Sequence, residues 1–381
     1  MPALMLTKLL FVAFAASATV YSAQVPSQTT DAALPPVVES VRAIRPPAQL
    51  LPPEDATRDL DKVSFIVYGD TRGGATDGQV VHPVHSQLVE RIIEVAQSRA
   101  NSERAIRFVL QTGDAVLRGS DARMWNVSYT PIIERLTTQA GIPYFLTLGN
   151  HDVLAGRAGG ASGREISLRA MANLYPPIGS ARRLGDTAAY AFGIGPLFVL
   201  SIDSNAADDP AQLAWASAQL ASLDRKRFKT VAAFLHHAPY TSGPHGAVLE
   251  PQTLAVRSLW MPLLRKHHVR LLLAGHEHFY ERWRETYRDV GRTYRMDIVV
   301  TGGGGAPSYS YRGEPDLGPY LAANAASQVR VEHLVKPGLT NDDNPHHFVV
   351  FDIDGDDIEE EVVSLGDRPL VPFKGKARHE L

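Results

Sequence analysis

Six residues of this chain are of the types that hold divalent cations, and each stands at or just beyond the end of an apolar run: Asp70, Asp114, Asn150, His236 or its neighbour His237, His276 and His278. The last two lie one residue apart in LLAGHEHFYER, Leu272 to Arg282. In an extended backbone, residues i and i+2 share a face, which would aim both imidazoles at one spot while Glu277 faces away. Neutral imidazole is the commonest protein ligand for zinc, iron and similar metals. Two acids, one amide and three imidazoles suit a pair of adjacent cations with one carboxylate bridging them. Two such ions, about 3.5–4 Å apart, clamp a phosphoryl group, bring the pKa of a bound water near 7 and stabilise both the attacking and the leaving oxygen. The chemistry is hydrolysis.

Strands must deliver these residues. SFIVYGD ends in Gly69-Asp70, and the run Ile106 to Gln111 leads to Gly113-Asp114. Tyr144 to Leu148 ends in Gly149-Asn150-His151-Asp152, Val231 to Leu235 in His236-His237, and Val269 to Ala274 in the opening stretch. Helical stripes lie between them: Val84, Leu88, Ile92, Ile93 and Ala96 recur at helical spacing, and further helices are expected over 121–140 with Asp121 as N-cap, 211–223 and 254–266. Strand and helix alternate, which reads as α/β, and ligands of α/β sheets sit beyond the carboxyl ends of strands, so the loops should share one rim. Additional strands are expected at 197–202 and 297–301, with a terminal hairpin turning at Asp354-Gly355. Gly302 to Gly305 lacks Gly-Lys-Ser/Thr and reads as a tight turn near the site. The stretch 308–347 is long and irregular for a compact domain and reads as a lid over the site or a mobile insertion.

Taken in order, Gly69-Asp70, Gly113-Asp114, Gly149 to Asp152, His236-His237 with Pro239, and Gly275 to His278 resemble the five motif blocks of the calcineurin-like metallophosphoesterase superfamily. GHEHFYER and the preceding LWMPLLRKHHVRLLLAG are similar to its purple acid phosphatases. The resemblance runs over 63–282 and implies a four-layer α/β/β/α sandwich of two mixed β-sheets flanked by helices. Carried over residue by residue, it implies that Asp114 bridges two metal ions. Asp70 and His278 would complete one site; Asn150, His236 in preference to His237, and His276 would complete the other. His151 would face the phosphate and donate a proton, with Asp152 orienting it, and His245 in SGPHG would face the substrate. Two departures stand out. Arg72 occupies the place where most members carry the histidine of Asp-x-His, and Leu117 the place where purple phosphatases carry a tyrosine. The site of Asp70, Asp114 and His278 is therefore short of ligands, and two divalent ions of manganese, zinc or ferrous iron are expected in place of a purple ferric centre. Arg72 would either bind a phosphate oxygen or pair with Asp70.

The resulting expectation is an exported metal-dependent phosphoesterase acting on phosphomonoesters through a dinuclear centre and a metal-activated hydroxide. The alternatives are a phosphodiesterase of cyclic nucleotides or glycerophosphodiesters, and a non-catalytic phosphate- or metal-binding member that has lost one metal. Composition agrees. The chain has 381 residues, 44% hydrophobic, with a net charge of -3 that gives no basic patch for polymeric nucleic acid, and it has no cysteine, so any metal takes N and O donors. A small phosphorylated substrate is the expected partner. Lys8 followed by the apolar run Leu9 to Val20, too short to span a bilayer, reads as a signal peptide over 1–23 whose removal leaves no membrane anchor and places the protein in a periplasm or outside the cell. A proline-rich linker or surface-clinging arm over 24–59, a catalytic domain over 60–366 and a tail over 367–381 complete the plan.

Overall fold

Strands form where the apolar runs lie. The computed structural model describes residues 39–366, apart from 75, 155–161, 247–249 and 316, together with the backbone of 376–379; the expected signal peptide and the first part of the arm lie outside the described residues. In chain order the strands are β1 (Lys62–Tyr68), β2 (Ile106–Gln111), β3 (Tyr144–Leu146), β4 (Tyr190–Ile194), β5 (Leu197–Ser201), β6 (Thr230–His237), β7 (Leu271–Gly275), β8 (Tyr280–Asp289), β9 (Arg292–Thr301), β10 (Arg330–Val335), β11 (His347–Asp354), β12 (Asp357–Ser364) and β13 (Lys376–His379). They build a six-stranded sheet in the order β13-β12-β11-β1-β2-β3 and a seven-stranded sheet in the order β10-β8-β9-β7-β6-β5-β4. Both are mixed: β1, β2 and β3 run parallel, as do β5, β6, β7 and β9, while the outer pairs are antiparallel.

Side-chain alternation on the second sheet reveals the layers. Val199, Phe234, Leu273 and Val299 join the core that contains the first sheet. Their neighbours Leu200, Ala233, Leu272 and Ile298 join a second core with Leu220, Trp260 and Leu264 of the covering helices. Each of these strands is thus buried on both faces, which explains their nearly unbroken apolar sequences. Phe145 of β3 stacks on Phe192 of β4 at 4.3 Å, sheet against sheet. Helix α1 (Pro83–Arg99) covers the other face of the first sheet, with His85 against Tyr68. The result is the expected four-layer α/β/β/α sandwich. Among the described residues, no helix is long and apolar enough to cross a membrane.

Three expectations need correction. The stretch 308–347 is not irregular throughout: it carries a helix, Leu317–Ala323, and then β10, which pairs with β8 at the sheet edge. The arm is not a linker from residue 39 onward. Ile44 is fully buried, its amide donates to the Ala170 carbonyl at 2.8 Å, and Arg42 and Arg45 both pair with Glu134. The domain therefore begins before residue 60, and the tail contributes β13. Strand β8, YERWRETYRD, escaped the sequence reading because charged residues, Glu281, Arg282 and Glu285, are buried among its aromatic ones; Glu285 meets Arg265 at 2.9 Å. An ion-paired interior leaves no apolar pattern.

Candidate metal centre

Backbone geometry at the strand ends sets the site. Asp70, Asp114 and His276, each one to three residues past its strand, have φ of 58°, 55° and 73°. This left-handed turn swings each side chain off the strand line, and Asp and His are among the residues that tolerate it. His276 to His278 is consequently a bend and not an extended pair, so the two rings serve different places. Neighbouring backbone must come very close: a Cβ on Gly149 would stand 2.1 Å from Asp114 Oδ1, and one on Gly302 would stand 2.2 Å from the Glu277 carbonyl. Only glycine permits either approach. The run Gly302 to Gly305 is thus a close-approach element, with Gly304 N donating to the Gly69 carbonyl.

Around His236, acceptors face one another. His236 Nδ1 lies 2.9 Å from the Thr112 carbonyl, so it carries the ring proton and leaves a lone pair on Nε2. That lone pair lies 2.9 Å from Asn150 Oδ1, 3.0 Å from His276 Nδ1 and 3.5 Å from Asp114 Oδ1. His276 is fixed in the same way: its Nε2 donates to Glu250 Oε2 at 2.6 Å, which turns Nδ1 toward His236. Burial drives the His236 pKa down to about 4, so the ring is neutral and free to ligate. Electron-rich atoms at such distances repel unless a cation sits among them, and this donor set fits a divalent metal ion. His237 shares a candidate ligand group with His236 and His276, and its Nδ1 lies against Ser204 Oγ at 2.8 Å.

Asp70, Asp114 and His278 converge as a second group. Both oxygens of Asp70 accept the His276 amide at 3.0 Å, tying β1 to β7. His278 Nδ1 donates to the Pro307 carbonyl at 2.7 Å, and its Nε2 lies 3.5 Å from Asp70 Oδ1. Here, however, Arg72 enters. Its Nε lies 3.3 Å from Asp114 Oδ2, and its Nη2 lies 3.4 Å from both His278 Nε2 and the Tyr309 hydroxyl. It pairs with Asp114, not with Asp70 as one expectation had it. Burial, then the Arg72 charge, push His278 down to about 3. Burial works to raise the Asp114 carboxyl, but the surrounding imidazoles and Arg72 outweigh it and keep Asp114 below the usual carboxylate range.

The model of the calcineurin-like phosphoesterase family matches residues 63–280. The chain belongs to this family. It is a metallophosphoesterase, a hydrolase of phosphoric esters. Among solved structures, the purple acid phosphatase PPD1 from yellow lupin (Lupinus luteus) seeds is similar, with a TM-score of 0.58 and 18% identity, covering 83% of this chain and 53% of the lupin one. This chain thus spans about half the length of that phosphatase, and the likeness is one of fold. GAP50, the anchor in the inner membrane complex of Plasmodium, is also similar, with a TM-score of 0.44 and 15% identity over 84% of this chain and 88% of its own. Comparison with curated proteins gives no match.

The metallophosphoesterase keeps its remaining site residues close by. His151 donates its amide to Asp114 Oδ1 at 3.0 Å, and its ring is oriented by the Leu117 carbonyl at 2.7 Å from Nδ1. Asp152 therefore does not orient it. Fully buried, Asp152 instead accepts the amides of Ala115, Val116 and Gly149, at 3.0, 3.3 and 2.9 Å, and so staples the Asn150 loop to the Asp114 loop. His245 sits half-buried against His276, ring centroids 4.3 Å apart. Its Nδ1 lies 2.6 Å from Glu250 Oε1, and its amide donates to Glu277 Oε1. Burial works to lower the His245 pKa, but the Glu250 hydrogen bond and the Glu277 charge raise it overall. Asp203, beyond β5, caps a short turn and pairs with Arg164.

Two site residues escaped the sequence reading. Glu250 holds His245 and His276 together; its only signal was a carboxylate placed immediately before Pro251 at a helix start. Tyr309 stacks on His278 with centroids 4.0 Å apart and planes 13° apart. Nothing but its position shortly after the glycine run marked it.

Proposed function

We propose that this metallophosphoesterase is an exported phosphomonoesterase working with a divalent cation held by Asp114, Asn150, His236 and His276. The observation that supports the metal-dependent reading is the convergence of Asn150 Oδ1, His276 Nδ1 and Asp114 Oδ1 on His236 Nε2, a donor set that a divalent cation satisfies. A divalent ion bound there supplies Lewis-acid charge to a phosphoryl oxygen and makes water acidic enough to act as a nucleophile near neutral pH. Manganese, zinc or ferrous iron suits donors that include no cysteine and, at position 117, no tyrosine.

The chain's own groups divide the remaining work. Arg72 spends Nε and Nη2 on its neighbours, and Nη1 is left to bind a phosphate oxygen. His245, whose pKa the Glu250 hydrogen bond raises, can give a proton to the departing oxygen. His151, fixed through Nδ1, has Nε2 left to meet the substrate. A guanidinium and an imidazolium together suit the dianion of a monoester better than the single charge of a diester. The test compares p-nitrophenyl phosphate with its bis ester on metal-loaded protein: kcat/KM at least about tenfold higher for the monoester is expected. The reverse preference makes the protein a diesterase, and no turnover of either overturns the phosphomonoesterase reading. Export rests on Lys8 and the apolar run after it. Cell fractionation with N-terminal sequencing should find a mature chain beginning near residue 24 outside the cytoplasm; an uncut cytoplasmic chain would refute it.

A further inference from the structure

We infer that this chain binds one metal ion, in the Asn150–His236–His276 site, and that the guanidinium of Arg72 takes the place of a second cation between Asp114 and His278. The inference rests on the metal-dependent reading above and concerns how many ions the centre holds.

The two ligand groups differ in what they lack. Around His236 three lone-pair atoms and a carboxylate oxygen crowd together, and no guanidinium or ammonium touches them. In the Asp70–Asp114–His278 group the chain supplies one. His278 Nδ1 is committed to the Pro307 carbonyl, so Nε2 carries the only lone pair the ring could offer a metal, and Arg72 Nη2 faces that lone pair at 3.4 Å. Asp114 is divided between the two groups: Oδ1 turns toward His236, while Oδ2 turns toward Arg72 Nε at 3.3 Å. The oxygen and the nitrogen that a second ion would need are therefore the atoms that the guanidinium occupies. Arginine has no lone pair and stays charged at any ordinary pH, so it replaces an ion and does not ligate one.

Arg72 is also held in position. The amides of Thr71 and Arg72 both donate to the Asp114 carbonyl, at 2.9 and 3.0 Å, so the stem of the side chain is fixed to the residue its tip contacts. The side chain is only 14% exposed, and Tyr309, stacked on His278, sets its hydroxyl 3.4 Å from Nη2. Contacts of 3.3 and 3.4 Å are long for hydrogen bonds; charge in a buried setting holds the group. A divalent ion entering here would have to expel a confined cation. One divalent ion with one guanidinium already exceeds the charge of the two carboxylates, so electroneutrality asks for no further ion.

The test is metal counting on the full-length protein, loaded with manganese or zinc, freed of excess and measured by inductively coupled plasma mass spectrometry. One ion per chain is expected for the unmodified protein, and two for Arg72→His, which restores a ligand and removes the cation. His276→Ala should lower the count to zero and His278→Ala should leave it at one. Two tightly held ions in the unmodified protein, or a count of one in folded Arg72→His, overturns the inference. Should Arg72→His fail to fold, the histidine pair decides alone: retention by His276→Ala with loss in His278→Ala puts the ion in the other group and overturns it. A chain with one ion and no esterase activity supports the inference and refutes the phosphomonoesterase reading. An active enzyme with two ions does the opposite.

Discussion

Glu250 Oε2 stands 2.6 Å from His276 Nε2, on the side of the ring away from His236. A carboxylate behind a ligating histidine fixes its tautomer and aims its lone pair, and loss of such a partner costs roughly 10–100-fold in metal affinity. Glu250→Gln should therefore weaken manganese or zinc binding by about that factor, read by chelator competition, with little change in the fold. Unaltered affinity would show that His276 needs no such support.

Asn150→Ala and His276→Ala should abolish hydrolysis while leaving folded protein by circular dichroism. A second readout separates binding from chemistry. Metal at about 100 times its Kd should stabilise the unmodified protein by about 2.7 kcal/mol, and should stabilise neither variant. A variant that keeps its metal-dependent rise in Tm would remove that residue from the ligand set.

Asp152 is a structural carboxylate at a functional place. Its replacement by alanine strands three buried amides and should cost about 3 kcal/mol or more in urea unfolding. A loss under about 1 kcal/mol would contradict the stapling role.

His347 should make the fold acid-sensitive. Burial lowers its pKa to about 4, against about 6.5 in the unfolded chain, and Thr301 and the Pro345 carbonyl satisfy the neutral ring. Below about pH 6.5 the unfolded state binds the extra proton. Stability is therefore complete above that pH and falls by about 3 kcal/mol as pH drops to about 4. His347→Gln, able to keep both hydrogen bonds, should flatten this slope in pH-dependent denaturation; an unchanged slope would assign it to other groups.

What could be read from the sequence followed from burial. Strands buried on both faces spell apolar runs, so the residues at their ends, Asp70, Asp114, Asn150, His236, His276 and His278, could be found by position alone. The i, i+2 argument for His276 and His278 failed because His276 turns left-handed, which no periodicity reports. Glu250 and Tyr309 reach the site from irregular segments and are 26 and 31 residues from their histidine partners, at distances that only the fold closes. Arg72 was visible as a departure, but its choice of Asp114 over Asp70 depends on backbone contacts that the sequence does not encode locally.

Ile44 and the Arg42–Arg45–Glu134 pairing have a practical corollary. A chain started at β1, close to the expected domain start at residue 60, would leave an open apolar slot beside a carboxylate stripped of both counter-charges. Such truncation should yield protein that aggregates on expression, whereas a chain started at residue 39 should remain in solution. Any shortening of the chain from its N-terminus must therefore spare this strap, because the strap belongs to the folded body.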